Sequence, residues 1–157
     1  QLPLSEVIEH AVALVKPSFE RHDITLTVGR VPSLRAGFFR AKLQQVLVNL
    51  LTNAAQAVKP FDAARRNVTI NAGINSNADV WIEVSDLGPG FTAMQQSEFF
   101  TQGFTTKTGG HGLGLHYCAV AMSQMKGSIH ASSAGPDRGA VFRIEFPTQV
   151  SERRVAA

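Results

Sequence analysis

The feature that most constrains this chain is a stretch at residues 44–58 that has helical periodicity but contains no charged side chain. At about 100 degrees per residue, its apolar side chains cover most of the circumference of a helix. Five of its polar side chains fall within an arc of roughly 100 degrees; they are Gln45, Asn49, Thr52, Asn53 and Gln56. The pattern predicts a mostly buried helix with one narrow polar stripe, which we call the amide stripe.

The amide stripe is unusual for a solvated helix surface. Such a surface normally carries Lys and Glu, which are good helix formers, whereas Asn and Thr are poor ones. Burying an amide costs free energy unless the amide has a hydrogen-bonding partner. We therefore expect the stripe to face a polar ligand in a partly enclosed site.

Composition and charge restrict the class of protein. A chain of 157 residues with 44% hydrophobic and 17% charged residues is typical of one soluble globular domain. It has no apolar run of membrane-spanning length, no signal-peptide pattern, and a single cysteine, Cys118, which excludes an intrachain disulfide. The net charge is +3, and the arginine pairs at 65–66 and 153–154 are interpreted as solvated loop and tail charges. We expect no contact with nucleic acid or membrane.

Periodicity along the rest of the chain predicts two layers. Helices are expected at residues 4–19, with Ser5 as a candidate N-cap, and at residues 38–58 and 113–126. Strands are expected at residues 24–29, 68–74, 80–86, 128–132 and 140–146. The predicted fold is an α+β, two-layer α/β sandwich, with a mixed, mostly antiparallel sheet packed against about three helices. Residues 1–148 form the predicted domain, and residues 149–157 a tail or linker.

Residues 87–112 show little periodicity and are rich in Gly, Thr and Gln. A loop of this length in a compact domain is usually functional, so we expect a flexible lid over a ligand. Phe99, Phe100 and Phe104 are placed to pin this loop onto the domain, and Lys107 to meet a phosphate group as a point charge. A surface loop with aromatic anchors and an exposed lysine is the alternative interpretation.

A carboxylate ends the strand predicted at residues 80–86. Because side chains alternate along a strand, Asp86 shares the face of Val80, Ile82 and Val84 and points toward the core. A carboxylate in an apolar slot can accept a hydrogen bond from an exocyclic amine such as that of adenine. The alternative is an aspartate that caps the glycine-rich turn after the strand.

A second glycine run, at residues 109–115, directly precedes the third helix. Its free backbone N–H groups and the helix N-terminus favour phosphate oxygens. It is not a Walker A loop, and Leu115 occupies the third glycine position of the dinucleotide fingerprint. A flexible loop without a ligand remains the alternative.

The order of these elements carries more information than any one of them. An amide-bearing helix, Asp-x-Gly-x-Gly after a strand, Phe-Thr-Thr-Lys, and Gly-x-Gly-x-Gly before a helix follow one another. This order resembles the ATP-binding catalytic domain of bacterial sensor histidine kinases, within the wider Bergerat-fold family of gyrase, heat-shock chaperone and MutL ATPases. The Asn-Ala-Ala-Gln-Ala run and Phe-Thr-Thr-Lys resemble the nitrogen-regulation-like subfamily.

The resemblance implies a role for each motif. Asn53 would hold Mg²⁺, Asp86 would bind the adenine amine of ATP, and Gly88 and Gly90 would shape the adenine pocket. Gln45 and Asn49 would support the same face, with Asn49 and Asn53 as the catalytic residues, and Gln56 would contribute to binding the nucleotide. The phosphates and the lid would involve Phe104, Thr105, Lys107, Gly110, His111, Gly112, Leu113, Gly114 and Leu115.

Position 49 separates a kinase from a hydrolase. In the related ATPases, the residue one turn before the metal-binding Asn is a glutamate that activates water. Asn49 is neutral and cannot act as a general base, so the resemblance implies a kinase that transfers the γ-phosphoryl group to a histidine. Three residues depart from the family pattern: Gln56, Leu87 and Ala140. Gln56 and Ala140 leave open an inactive nucleotide-binding regulatory module, and a serine kinase of the anti-sigma type shares the fold.

No histidine in the chain matches the phosphoacceptor motif of the family. His10 is followed by Ala11, and His22 has no suitably placed proline. We therefore expect the acceptor histidine on a dimerisation and phosphoacceptor domain outside this chain, and a response regulator downstream. The resemblance implies a cytoplasmic domain, monomeric in isolation, within a parent protein that is either soluble or anchored in the inner membrane.

Overall fold

The computed structural model describes residues 2–36, 39–99 and 113–148. Its helices are α1 (Leu4–Arg21), α2 (Arg40–Val58), α3 (Ala93–Gln96) and α4 (Leu113–Gln124), and a short 3₁₀ helix lies at Ala63–Arg65. Its strands are β1 (Leu2–Pro3), β2 (Thr25–Val28), β3 (Arg35–Ala36), β4 (Asn67–Ile74), β5 (Val80–Asp86), β6 (Ser128–Ser132) and β7 (Ala140–Phe146). In the described part of the chain, no helix is long and apolar enough to cross a membrane.

Five strands form the main sheet in the order β2-β4-β5-β7-β6. Strand β2 runs parallel to β4, and the other neighbours are antiparallel. This confirms the prediction of a mixed, mostly antiparallel sheet. The short strands β1 and β3 pair separately beside α1 and were not predicted.

One face of the sheet carries the core. Side chains alternate along β5 between buried and half-buried, and Asp86 falls in the buried phase as predicted. Helix α2 contacts α1, α4, β4 and β5, so it lies at the centre of the helical layer. Its residues Leu43, Leu47 and Leu51 are fully buried. The two-layer sandwich is therefore confirmed.

The opposite face of the sheet holds a charged cluster. Arg143 donates to Glu83 at 2.8 Å and to Glu145 at 2.7 Å, and its guanidinium lies 4.6 Å from the ring centroid of Trp81. Burial opposes the charged guanidinium, but the hydrogen bonds to the two glutamates outweigh it and raise the pKa of Arg143. This face is therefore built from polar contacts.

Three local predictions were wrong. Helix α1 begins after Pro3, without a side-chain cap, so Ser5 is not its N-cap. Residues 87–112 are not loop throughout, because Thr92 and Gln95 form a capping box that starts α3. Helix α4 ends at Gln124, two residues early, since the chain turns at 125–127. Residues 100–112, which make up the second half of the predicted lid, lie outside the described residues.

Candidate functional site

The amide stripe connects two helices. Asn49 of α2 donates through Nδ2 to the carbonyl of Gly114 in the first turn of α4, at 3.2 Å. Its Oδ1 accepts a hydrogen bond from Gln45, one turn earlier, at 2.8 Å. Both ends of the Asn49 amide are thus engaged, and the first turn of α4 is held against the stripe.

The stripe does not face a single surface. Asn53 is half-buried one turn beyond Asn49. Thr52 and Gln56 are exposed and line a groove of about 350 Å³ between α1 and α2, bounded also by Phe19 and His22. Gln56 thus lies on the edge of the stripe that borders this groove. The predicted contact between Gln56 and a nucleotide stays a prediction.

Asp86 is the charged side chain that the described part of the fold buries, with 5% of its surface exposed. It ends β5 between Val68 of β4 and Ala140 of β7. Its Oδ1 accepts a hydrogen bond from the backbone N–H of Gly88 at 2.8 Å. Asp86 therefore caps the turn, as the alternative interpretation held, and also lies at the buried end of an apolar strand.

Two positions in the turn after Asp86 favour glycine, the first because space is short and the second because of its backbone conformation. A Cβ at Gly88 would lie 2.9 Å from both the Cβ of Ala57 on α2 and Oδ1 of Asp86. Gly90 has φ +67°, a left-handed conformation that side chains disfavour. We call residues 86–90 the glycine turn. Its close packing against α2 brings Asp86 and the amide stripe into one region.

Arg65 holds the glycine turn from outside. It donates through Nε to the carbonyl of Leu87 at 2.9 Å and through Nη2 to that of Gly88 at 2.8 Å. It also forms an ion pair with Asp137 at 3.1 Å and lies 3.9 Å above the ring of Phe61. The interpretation of Arg65 as a solvated charge was wrong, and no local pattern indicates a contact across 22 residues.

Its neighbour Arg66 is also engaged. Arg66 donates to the carbonyl of Asp23 at 3.2 Å and to that of Phe61 at 2.6 Å. These bonds tie the connection between α2 and β4 to the end of α1. Both arginines therefore serve as structural cross-links between loops.

The turn between β6 and β7 completes this side of the site. The N–H of Gly139 donates to the carbonyl of Gly88 at 3.2 Å. Ser133 donates through Oγ to the carbonyl of Gly139 at 2.6 Å and accepts from the N–H of Phe91 at 3.3 Å. Sequence reasoning missed Ser133, because its partners come from two different turns.

The first half of the predicted lid is anchored at its end by Phe99, as expected. This ring is buried, and its centroid lies 4.5 Å from that of Phe91 and 5.8 Å from that of Phe142. Leu115 of α4 is buried as well. The other predicted lid and phosphate residues lie outside the described residues, so their roles stay predictions: Phe100, Phe104, Thr105, Lys107, Gly110, His111 and Gly112. Helix α4 begins at Leu113.

Below the amide stripe, Cys118 of α4 packs against α2. Its thiol donates to the carbonyl of Val46 at 3.8 Å. Burial raises the pKa of Cys118 to about 12, although a hydrogen bond with Asn49 opposes the shift. The thiol is therefore an inert packing group at neutral pH.

Two of the three departures from the family pattern have clear positions. Leu87 has 48% of its surface exposed, so its side chain does not line the buried end of β5. Ala140 pairs directly with Asp86 in the sheet. A small apolar side chain at this position adds no hydrogen-bonding group beside the carboxylate.

The chain matches the family model described as histidine kinase-, DNA gyrase B-, and HSP90-like ATPase over residues 40–150. It is 33% identical to the C4-dicarboxylate transport sensor protein DctS of Rhodobacter capsulatus, over 93% of this chain and 22% of that protein. It is 35% identical to the sensor histidine kinase ZraS of Klebsiella oxytoca, over 96% of this chain and 32% of that protein. The chain thus spans less than a third of the length of these relatives.

Solved structures show the same fold. The catalytic domain of histidine kinase ThkA superposes with a TM-score of 0.79 at 27% identity, over 92% of each chain. The mycobacterial sensor histidine kinase MprB gives a TM-score of 0.78 at 23% identity, over 93% of this chain and 95% of that one. The nitrogen-regulation-like subfamily stays a prediction. The chain belongs to the histidine kinase-, DNA gyrase B- and HSP90-like ATPase family, and its fold is that of a histidine kinase catalytic domain.

Proposed function

We propose that this chain binds Mg-ATP and supplies the γ-phosphoryl group to a histidine on a separate dimerisation and phosphoacceptor domain. The resulting phosphohistidine would then serve a response regulator in two-component signalling. The relatives named as sensor proteins support this proposal. So does the likeness to a histidine kinase catalytic domain.

The neutral side chain of Asn49 is the observation that favours a kinase over a hydrolase. Hydrolysis would need a general base to activate water. Asn49 is neutral, and its oxygen and nitrogen are both engaged, with Gln45 and with the carbonyl of Gly114. A neutral imidazole already carries a nucleophilic lone pair, so transfer to histidine does not need a base at this position.

The described residues fit a nucleotide at the glycine turn. Asp86 offers a buried carboxylate to the adenine amine, and a carboxylate has about four acceptor sites, so the bond from Gly88 does not by itself exhaust it. Asn53 offers an amide oxygen, a hard ligand of the kind that suits Mg²⁺. When bound, Mg²⁺ would offset the negative charge of the phosphates.

The proposed transfer is an in-line displacement. The bond between an imidazole nitrogen and the γ-phosphorus forms, the bond from that phosphorus to the β–γ bridging oxygen breaks, and ADP leaves with the electron pair. The residues of this chain would hold and orient ATP, because positioning and electrostatic stabilisation account for most of the catalysis in phosphoryl transfer.

The test uses ATP labelled at the γ-phosphate. The chain is mixed with the phosphoacceptor domain of its parent protein, with and without Mg²⁺. We expect acid-labile, alkali-stable label on that domain, lost with Asn53→Ala and Asp86→Asn and retained with the control Asn77→Ala in the exposed β4–β5 turn. Binding of ATP without transfer of label would favour the regulatory-module alternative.

A further inference from the structure

We propose that Arg65 is a positioning residue for adenine recognition, which sets the orientation of Asp86 through the peptide that joins Leu87 to Gly88. This inference rests on the proposed function, because it takes Asp86 as the group that binds the adenine amine. It adds a specificity residue from the connection between α2 and β4, a segment that contains none of the predicted nucleotide contacts.

The argument begins with one peptide plane. The carbonyl of Leu87 accepts from Nε of Arg65 at 2.9 Å, and the N–H of the same peptide, on Gly88, donates to Oδ1 of Asp86 at 2.8 Å. A peptide unit is planar, and its carbonyl and N–H point in opposite directions. Holding the carbonyl therefore aims the N–H at the carboxylate.

The guanidinium also holds the next peptide. Nη2 of Arg65 donates to the carbonyl of Gly88 at 2.8 Å, and the N–H of Gly139 reaches the same oxygen at 3.2 Å. Two consecutive carbonyls are thus bridged by one rigid fork of donors, a geometry that arginine offers and lysine does not. Rotation of either peptide would break a charge-assisted hydrogen bond.

The position of Arg65 is itself defined by its surroundings. Its guanidinium stacks 3.9 Å above the ring of Phe61, and its side chain is 31% exposed. The ion pair with Asp137 is weaker support, because the Asp137 side chain is 73% exposed and solvent screens such pairs. The two carbonyl bonds and the stacking therefore determine how Arg65 acts on the glycine turn.

This arrangement has a consequence for base selectivity. If Asp86 binds the exocyclic amine, its orientation determines how strongly ATP is preferred over purine riboside triphosphate, which lacks only that amine. Removing Arg65 frees the Leu87–Gly88 peptide to rotate away from Asp86. The preference for the amine should then fall, while contacts to the ribose and phosphates remain.

The experiment measures the dissociation constants of both nucleotides for the chain at one Mg²⁺ concentration. For Arg65→Gln we expect the preference for ATP to fall about tenfold, the lower end of the range for one hydrogen bond to a charged group, because the bond is misaligned and not removed. Affinity for purine riboside triphosphate should change by less than about twofold, since it does not use the Asp86 interaction. The matched control is Arg138→Gln, which removes the same charge from the adjoining β6–β7 turn.

A second variant provides the test if Arg65→Gln does not fold. Arg65→Lys keeps the charge beside Asp137 but cannot bridge both carbonyls, so its preference for ATP should also fall. Circular dichroism and thermal unfolding identify which variants are folded, and Arg65→Lys decides the matter if Arg65→Gln does not fold. An unchanged preference in a folded Arg65 variant would overturn the inference.

The variant Asp86→Asn tests the proposed role of Asp86 separately from that of Arg65. If it abolishes the preference for ATP while folded Arg65 variants retain it, Asp86 still binds adenine and only the role of Arg65 is wrong. If the unaltered chain shows no preference, or Asp86→Asn leaves the preference intact, the proposed adenine site fails and the inference fails with it.

Discussion

The amide stripe and the glycine turn form two polar parts of one candidate site, but they are built in different ways. The stripe lies on a single helix, its hydrogen bond from Gln45 to Asn49 spans one turn, and one further bond joins Asn49 to Gly114 of α4. The glycine turn is held by Arg65 and Gly139, from two other connections of the chain, and Ser133 links Gly139 to Phe91 just after the turn. A side chain on a helix is placed by local geometry, whereas the carboxylate at a strand end depends on several distant loops.

The largest effect that would test this contrast is expected from Asp86→Asn. The amide removes the negative charge and replaces one acceptor oxygen with an NH₂ donor, which opposes the donating amine of adenine. We expect the affinity for Mg-ATP to fall about 100-fold, the upper range for a hydrogen bond to a charged group. Isothermal titration calorimetry measures this, and Asp79→Asn at the opposite end of β5 is the control. Equal affinities in the two variants would contradict the assignment.

The same substitution at two glycines should have opposite effects on stability. Gly88→Ala would place a Cβ 2.9 Å from Ala57 and from Asp86, so we expect a loss of about 1–3 kcal/mol. Among the described residues, the nearest atom to a Cβ at the helical Gly114 would be Cγ of Asn49 at 3.8 Å, so we expect a gain of about 0.5 kcal/mol from Gly114→Ala. Urea denaturation measures both. If the two variants have the same stability, the glycine turn is less tightly packed than described.

A smaller effect is expected from Asn49→Ala. It removes the hydrogen bonds to Gln45 and to Gly114, both in an exposed setting, and the hydrogen bond with the Cys118 thiol. We expect the free energy of unfolding to fall by about 1 kcal/mol. Asn77→Ala, in an exposed turn, should stay within about 0.5 kcal/mol of the unaltered chain. A loss above about 3 kcal/mol would show that the stripe depends on more than these hydrogen bonds.

The smallest effect near neutral pH concerns Cys118, which packs behind the stripe. Its folded pKa is about 12, above the ordinary value of 9.0. Because the folded state holds this proton more tightly, its contribution to stability is complete below pH 9 and is lost as pH rises toward 12. The stability difference between the unaltered chain and Cys118→Ala should therefore be constant below pH 9 and shrink above it. A difference independent of pH up to 11 would contradict the burial of the thiol.

The difference between local and long-range contacts explains which features could be predicted from the sequence. The bounds of β5, β6 and β7 match their predicted ranges, because alternation is a local pattern that ends at recognisable turns. The buried phase of Asp86 follows from that alternation. Helix α3 was missed although its signal, Thr92 followed three residues later by Gln95, is present in the sequence.

Other features had no local signal. Pro17 lies inside α1, where its ring removes one backbone hydrogen bond, yet the helix continues to Arg21 because its apolar face is buried. Arg65 lies in a connection whose composition is that of a solvated loop. Its contacts with Leu87 and Gly88 exist only once β4 and β5 have paired. The structure reveals the roles of such residues, whereas no sequence pattern predicts them.

The central claim is that this site gives the γ-phosphoryl group to histidine and not to water. The most direct measurement mixes the chain, γ-labelled Mg-ATP and the phosphoacceptor domain of the parent protein, and quantifies label on histidine and in free phosphate over time. We expect label to accumulate on histidine much faster than free phosphate, in a reaction that Asp86→Asn abolishes. Steady release of free phosphate by the chain alone, with no label on histidine, would contradict the account and assign the site to an ATPase.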